Sequence, residues 1–337
     1  MSNNMNDRNE KGMFKMRTRI TEMLGIKYPV IQGGMQNVAT PELAAAVSNA
    51  GGLGTINTTM YRDAGELREA IRRIKSLTDQ PFCVNMSLLP DVNVGEDARA
   101  YIEICGNEGV KVIETAGTKP DALCPLIHEA GMLHIHKVPA TRFGASAQKC
   151  GVDAVTAVGY ECGGHPGMDG IGTIVLANEA SRTLTIPVIA GGGIVDGRGI
   201  AAALALGAEA VIMGTRFMCT TEAPISDNHK QWILDATERS TVLAQKSIRN
   251  MVRVADNKAA RQCLEMEAGG AGLKELMAVI SGKNGKEAYE TGDLDRGLFP
   301  VGVGCSLIHD VKSVGEVMEE LMAETVETVR RLKDLTY

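Results

Sequence analysis

Aromatic residues are scarce. Phe, Trp and Tyr make up 4% of the 337 residues, too few for the stacking platforms that grip single-stranded nucleic acid. No block of lysine and arginine stands out, and a net charge of −6 leaves no concentrated basic surface for phosphate backbones. Nucleic acid is therefore not an expected partner. No uninterrupted apolar run nears the roughly 20 residues that span a bilayer, so no membrane insertion is expected. The opening stretch, MSNNMNDRNEKG, lacks the apolar core of a secretory signal. Residues 1–16 are expected to form a flexible tail, and the chain to be cytoplasmic. The eight cysteines, at 83, 105, 124, 150, 162, 219, 263 and 305, show no CxxC pair and no cysteine–histidine cluster of zinc spacing. They read as reduced, mostly buried thiols, and no metal is expected.

What the chain does have is apolar mass. Hydrophobic residues are 44% of the sequence, enough for a sizeable core. Eight short runs recur: PVIQGG (29–34), GLGTI (52–56), FCVNMSL (82–88), VKVIET (110–115), LHIHKV (133–138), DAVTAVG (153–159), IPVIAGG (186–192) and EAVIMGT (209–215). They are near-continuous apolar runs rather than alternations, which is the pattern of parallel strands buried on both faces. Helix-like stretches lie between them. One, at 41–51, has Pro41 at its start and Gly51 at its end, as helix termini prefer. Eight strand–helix units predict a (β/α)8 TIM barrel, with a doubly wound open sheet as the competitor. After residue 218 the alternation stops. Helical patterns at 226–238, 257–270 and 272–282 predict a mostly helical capping domain over 219–309, and the barrel is expected to take 17–218 plus 310–337. The last stretch opens with Ser313 and Glu316, a capping-box pair. Val314, Val317, Met318, Leu321 and Met322 make one face that should pack on the barrel wall.

A barrel of this kind places its chemistry at the C-terminal ends of the strands. At strands 7 and 8, Gly191, Gly192 and Gly193, followed by a helix, and Met213-Gly214-Thr215 offer backbone N–H groups to a phosphate. At strand 1, QGGM brings two glycines and an apolar side chain to where a flat ring could lie close to the backbone. Asn85 is a neutral amide suited to a heteroaromatic or ribityl edge. Lys137 is a lone cation at another strand end, suited to a ring oxyanion or a phosphate. His165 lies beyond strand 6 in GYECGGHPGMDGIGT. A glycine-rich loop has few side chains to satisfy an imidazole, so His165 is expected to face a ligand and exchange a proton near neutral pH. His134 and His136 share one strand face, and no third metal ligand accompanies them.

Taken in order, the pieces PVIQGGMQ, FCVNMSLLP, VIETAG, HIHKV, ECGGHPG, IAGGG, DGRG, ALGAEAVIMGTRF, ERSTVL and SIRNMVRV resemble the nitronate monooxygenase family. That family was once called 2-nitropropane dioxygenases. The similarity looks strongest to its bacterial FMN-dependent NADH:quinone reductase branch, which also shares a late segment like TGDLDRG (291–297). The resemblance implies an FMN-dependent TIM-barrel flavoprotein. It implies FMN contacts at Gly34, Met35, Gln36, Asn85, Ser87, Lys137, Gly163, Gly164, Gly192, Gly193, Met213, Gly214 and Thr215. His165 would be the catalytic base or orienting group over the flavin. NADH or NADPH would be the co-substrate, with small-molecule substrates and a homodimer. In the related quinone reductases the loop after the third strand bears a proline; here DVNVGED (91–97) follows Pro90, a loop expected to govern pyridine-nucleotide binding. Pro166 follows the histidine, where nitronate monooxygenases usually have another residue. Electrons would pass from NAD(P)H or a nitronate through FMN to a quinone, oxygen or another acceptor. An FMN-dependent enoyl-thioester reductase, for an acyl carrier substrate, is the alternative. A flavin-free phosphate-binding isomerase or lyase barrel, and an FMN binder without catalysis, stay open beside them.

Overall fold

The structure, a computed structural model, describes residues 16–88 and 94–335, without the side chains of residues 94–97. The expected tail lies outside these residues except for Met16, and so do residues 91–93 of the DVNVGED loop, whose last four positions begin a helix instead. Eight parallel strands form one sheet. They are Val30–Gln32 (β1), Gly54–Asn57 (β2), Phe82–Leu88 (β3), Val112–Gly117 (β4), Leu133–Val138 (β5), Ala154–Val158 (β6), Val188–Gly191 (β7) and Ala210–Met213 (β8). Each lies within or over one of the eight apolar runs. β1 also bonds to β8, with Val30 opposite Val211, so the sheet curls on itself as a TIM barrel.

The remaining seam, between β1 and β2, is closed partly by a side chain. Backbone bonds run from the Gln32 amide to Leu53 O at 2.9 Å and from the Leu53 amide to Val30 O at 2.9 Å. Above them the buried Gln32 side chain donates from Nε2 to Thr55 O at 2.9 Å, and its Oε1 accepts from the Thr55 amide at 3.3 Å. A side-chain amide here does what a peptide group does elsewhere in the ladder.

The barrel's helices are Arg19–Leu24 (α1), Pro41–Asn49 (α2), Ala64–Leu77 (α3), Val94–Asn107 (α4), Cys124–Glu129 (α5), Thr141–Cys150 (α6), Thr173–Thr183 (α7) and Gly197–Ala205 (α8). α1 plugs the N-terminal end. Its Ile20 and Leu24 pack with Ile26 against Ile31, Leu53, Val112, Ile135 and Ile189. β8 is followed only by the four-residue helix Thr215–Met218 (α9). The chain then builds Asp227–Asp235 (α10), the strands Thr241–Ala244 (β9) and Val252–Ala255 (β10), Lys258–Ala268 (α11), Leu273–Ile280 (α12) and Gly282–Thr291 (α13). It returns as Val314–Lys333 (α14). The return is held by Arg216, whose guanidinium donates to Asp310 Oδ1 at 3.1 Å, Asp310 O at 3.0 Å and Cys219 O at 2.8 Å.

α14 starts at the expected capping box, with the Ser313 hydroxyl accepting from the Glu316 amide and Glu316 reaching back. Its five expected apolar residues are all buried, packed against α8 and α2. α14 therefore fills the place in the helix ring that α9 is too short to occupy. The 226–282 helices appear as expected. The antiparallel β9–β10 hairpin does not follow from the sequence patterns above, because its turn uses positive φ at Gln245 and Arg249 rather than at the Asn-Gly or Gly residues that mark such turns. α13 was also hidden, since it starts with glycines 282 and 285, poor helix formers.

Three fully enclosed histidines stay neutral. His134 and His136 point to the outer face of the barrel wall, where the Thr115 hydroxyl lies 2.7 Å from His134 Nε2 and 2.7 Å from His136 Nδ1. His229 stands edge-on to Tyr289 and Phe299 and bonds Ser226 Oγ at 2.8 Å. Burial pulls their pKa values down to about 3, about 4 and about 4, respectively.

Two expectations follow. The unfolded chain protonates these histidines near 6.5 while the folded protein resists, so stability is full above that pH and falls on acidification toward about 4. Each histidine should remove about 1.4 kcal/mol per pH unit in that window. Denaturant titrations between pH 6.5 and 5 should show this slope, reduced by about a third in His229→Phe. Gln32→Leu should lower the unfolding free energy by about 3 kcal/mol, since it strands the Thr55 amide and carbonyl at the seam.

Candidate active site

Parallel strands end on one rim, and that rim gathers the candidates. Gly34, Met35, Ser87, Lys137, Gly164, Gly192 and Gly214 are partly open there, and Gln36, Gly163, His165 and Gly193 are exposed. Asn85, Met213 and Thr215 are buried. The Met213 side chain lies in the outer core, and its carbonyl accepts from the Gly33 amide at 2.8 Å.

The floor of the mouth is polar. Register sets Asn57, Asn85 and Glu114 in one row and Ala116, Lys137 and Thr156 in another. Glu114 is 3% exposed. Its Oε2 accepts from Asn85 Nδ2 at 2.6 Å and from Lys137 Nζ at 2.9 Å, and its Oε1 accepts from Thr156 Oγ1 at 3.1 Å. Lys137 is thus not a lone cation, as its place in the sequence suggested; it is half of an ion pair. Gly34 is explained by the same layer. A Cβ there would sit 2.5 Å from Asn85 Cγ, so the missing side chain makes room for the amide. Beside it, Met35 Sδ lies 3.5 Å from where a Cβ on Gly214 would stand.

The His165 loop is pinned by the β9–β10 hairpin. Gly164 and Arg253 of β10 exchange backbone bonds, at 3.0 and 2.7 Å. The buried Arg253 guanidinium donates twice to Tyr160 O, at 3.2 and 2.9 Å, and to Thr241 Oγ1 at 3.1 Å, while lying over the Tyr160 ring. From the barrel side, the Glu161 carboxylate accepts from the Thr173 amide at 2.9 Å and caps α7. The loop is therefore anchored on both flanks of an exposed histidine. The protein wall around His165 lowers its pKa below 6.5 by desolvation, leaving a neutral imidazole at pH 7 that can accept a proton.

At strands 7 and 8 the glycine run turns with φ 100 at Gly192 and φ 71 at Gly193. The amides of Gly192, Gly193, Gly214 and Thr215 have no acceptor among the described residues. β7 and β8 are bonded neighbours, so the turns that carry these amides follow adjacent strands. The Thr215 hydroxyl accepts from the Gly302 amide at 3.0 Å and keeps its own hydrogen to donate. Amides without an acceptor and a hydroxyl hydrogen are the donors that an anion requires.

Glu114, Thr156, Glu161 and Arg253 were missed in the sequence. Glu114 and Arg253 had a signal: a charge inside a short apolar run, in VIETAG and VRVA. His134 and His136 do share a face, but it is the outer one, away from the mouth. Among the described residues no group of three His, Cys, Asp or Glu is placed to hold a metal ion, and no helix is long and apolar enough to cross a membrane. An open pocket of about 280 Å³ on the cap, beside Trp232 and Leu294, contains none of the site candidates.

The nitronate monooxygenase family profile matches residues 17–324. The chain is 38% identical over 69% of its length to a 5-hydroxy-7a-methyl-1-oxo-octahydro-1H-indene-4-carboxyl-CoA dehydrogenase of Rhodococcus jostii, and spans 64% of that protein. It is 33% identical to a probable nitronate monooxygenase of Staphylococcus saprophyticus, over 68% of this chain and 76% of the relative. Among solved structures, FabK from Thermotoga maritima superposes with a TM-score of 0.89 at 38% identity, covering 95% of this chain and all of that one.

Arg253→Ala should free the His165 loop. The Gly164 amide is expected to lose hydrogen-exchange protection, and stability to fall by about 3 kcal/mol as the Tyr160 carbonyl loses charged donors. Unchanged exchange at Gly164 would show that the backbone pairing alone holds the loop.

Proposed function

The chain belongs to the nitronate monooxygenase family, and from that premise we propose that it is an FMN-dependent oxidoreductase. It passes electrons from NADH, NADPH or a nitronate to a quinone, oxygen or another small acceptor. The observation that carries this reading is the set of four acceptor-free amides at the ends of β7 and β8, set above a floor of fixed polar groups. An anion and a polar ring on one ligand fit that pairing.

In this reading the amides of Gly192, Gly193, Gly214 and Thr215 hold the phosphate of FMN. Gly34, Met35, Gln36, Ser87, Gly163 and Gly164 line the ring and its tail. Asn85 and Lys137 meet the polar edge of the ring from below. FMN, when bound, supplies a ring that accepts an electron pair from one partner and yields it to the next. The rest is the protein's part. The α1 plug and the apolar layer above it keep water out of the barrel's far end. Arg253 and Glu161 hold the His165 loop over the mouth. His165, neutral at pH 7, accepts a proton from the substrate at a ring nitrogen or orients it. Protonation removes that capacity, so kcat/KM should fall as pH drops through an inflection below 6.5.

A second reading is supported by the Rhodococcus relative, whose name specifies a dehydrogenase of an acyl-CoA. A CoA thioester would then be one of the two redox partners. In dehydrogenation the acyl-CoA is the electron donor; in the reverse, enoyl-thioester reductase direction the unsaturated acyl thioester is the acceptor and NADH or NADPH the donor.

An anaerobic stopped-flow experiment with the FMN-loaded protein separates these readings. Rapid bleaching of the flavin band by NADH or NADPH makes it a reductase, and reoxidation by a quinone or by an enoyl-CoA then names the acceptor. Bleaching by a nitronate alone moves it to nitronate oxidation. His165→Asn should cut the rate by on the order of 100-fold and abolish the acid limb. A protein that takes up no FMN overturns the proposal and leaves the flavin-free phosphate barrel.

A further inference from the structure

Glu114 is expensive where it stands. A carboxylate taken out of water costs several kcal/mol, and an apolar pair of similar volume often serves stability as well as a buried ion pair. The layer directly beneath it takes that apolar course, with Ile31, Leu53, Val112, Ile135 and Ile189. The charges appear only one level up, below the mouth. There Glu114 gathers donors from three neighbouring strands, Asn85 of β3, Lys137 of β5 and Thr156 of β6.

This arrangement has two effects. The Asn85 amide spends a hydrogen on Glu114, which fixes the side chain and sets its Oδ1 toward Gly34, 2.8 Å from where a Cβ would lie. The oxygen is thus presented to the mouth as an acceptor. Lys137 spends one of its three hydrogens on Glu114 and keeps the others, but its charge is cancelled within 2.9 Å. A ligand above the pair meets a donor and an acceptor at fixed places and very little net charge.

We propose that Glu114 is a positioning residue that neutralises Lys137 beneath the flavin ring and thereby holds the reduction potential of bound FMN low. The inference rests on the FMN reading above. Two electrons and one proton taken up by FMN leave the ring with one added negative charge near neutral pH. An unpaired ammonium below the ring would favour that charge and raise the potential, and the Glu114 carboxylate opposes it. A low potential suits an enzyme that must hand its electrons onward.

The test is the two-electron midpoint potential of the flavin, measured by equilibration with a reference dye, after FMN uptake has been confirmed from the visible spectrum. Glu114→Gln keeps the shape and removes the charge. Its equilibrium with the dye should shift about tenfold toward reduced flavin, a rise of about 30 mV. Glu114→Asp draws the carboxylate back from Lys137 and should shift the same way by less; it decides the matter if Glu114→Gln does not fold. In Glu114→Gln/Lys137→Gln the cation is gone as well, and the potential should return toward that of the parent protein. Variants that bind FMN with an unshifted potential would make Glu114 a structural group and overturn the inference alone. If the parent protein binds no FMN, the proposed function falls and this inference with it.

Discussion

The seam between β1 and β2 is the constraint on which the rest depends. β1 has three residues and β2 has four, so little backbone is available to join them. Closure nonetheless decides whether the strand ends converge on one rim or fan out along an open sheet. The Gln32 side chain extends the ladder by one peptide-like step, bonding Thr55 in both directions. It immediately precedes Gly33 and Gly34. The seam and the room for Asn85 are therefore written into three consecutive positions, and the polar floor depends on both.

The barrel interior changes character along its axis. At the α1 end it is hydrocarbon, sealed by Ile20 and Leu24. One level higher it carries a carboxylate, an ammonium, an amide and a hydroxyl that satisfy one another. Above that stand open backbone amides and an exposed imidazole. This gradient places rigid, mutually bonded groups under flexible glycine turns. The orientation of polar groups at the mouth is set from below, where packing is tight, rather than by the loops.

The barrel was legible because its strands are buried on both faces and read as uninterrupted apolar runs. The C-terminal helix was legible from Ser313, Glu316 and a single apolar face. The elements between α9 and α14 were half legible. Their hairpin was hidden because Gln245 and Arg249 adopt turn geometry that the sequence does not advertise, and α13 because it begins on glycines. The rim positions of Gly34, Lys137, Gly192, Gly214 and His165 followed from the rule that chemistry sits at strand ends. What the rule could not show is which groups those residues touch. Glu114 lies one step inside the rim, and only the register of β3, β4, β5 and β6 brings it under Lys137. Lys137 therefore read as a free cation. His134 and His136 were correctly placed on one face, but strand periodicity alone does not say which face looks inward.

The return of α14 to lie between α8 and α2 has a consequence for the order of events during synthesis. The outer surfaces of α2 and α8 emerge from the ribosome long before the segment that covers them. Until residues 314–333 have emerged, Val47 and Ile200, both buried in the finished protein, belong to a helix ring with a gap in it. A nascent barrel at that stage offers an apolar slot shaped for a helix, open to a neighbouring nascent chain or to a chaperone. The last long helix thus acts as a latch, and the rate at which it is delivered sets how long that slot stays exposed.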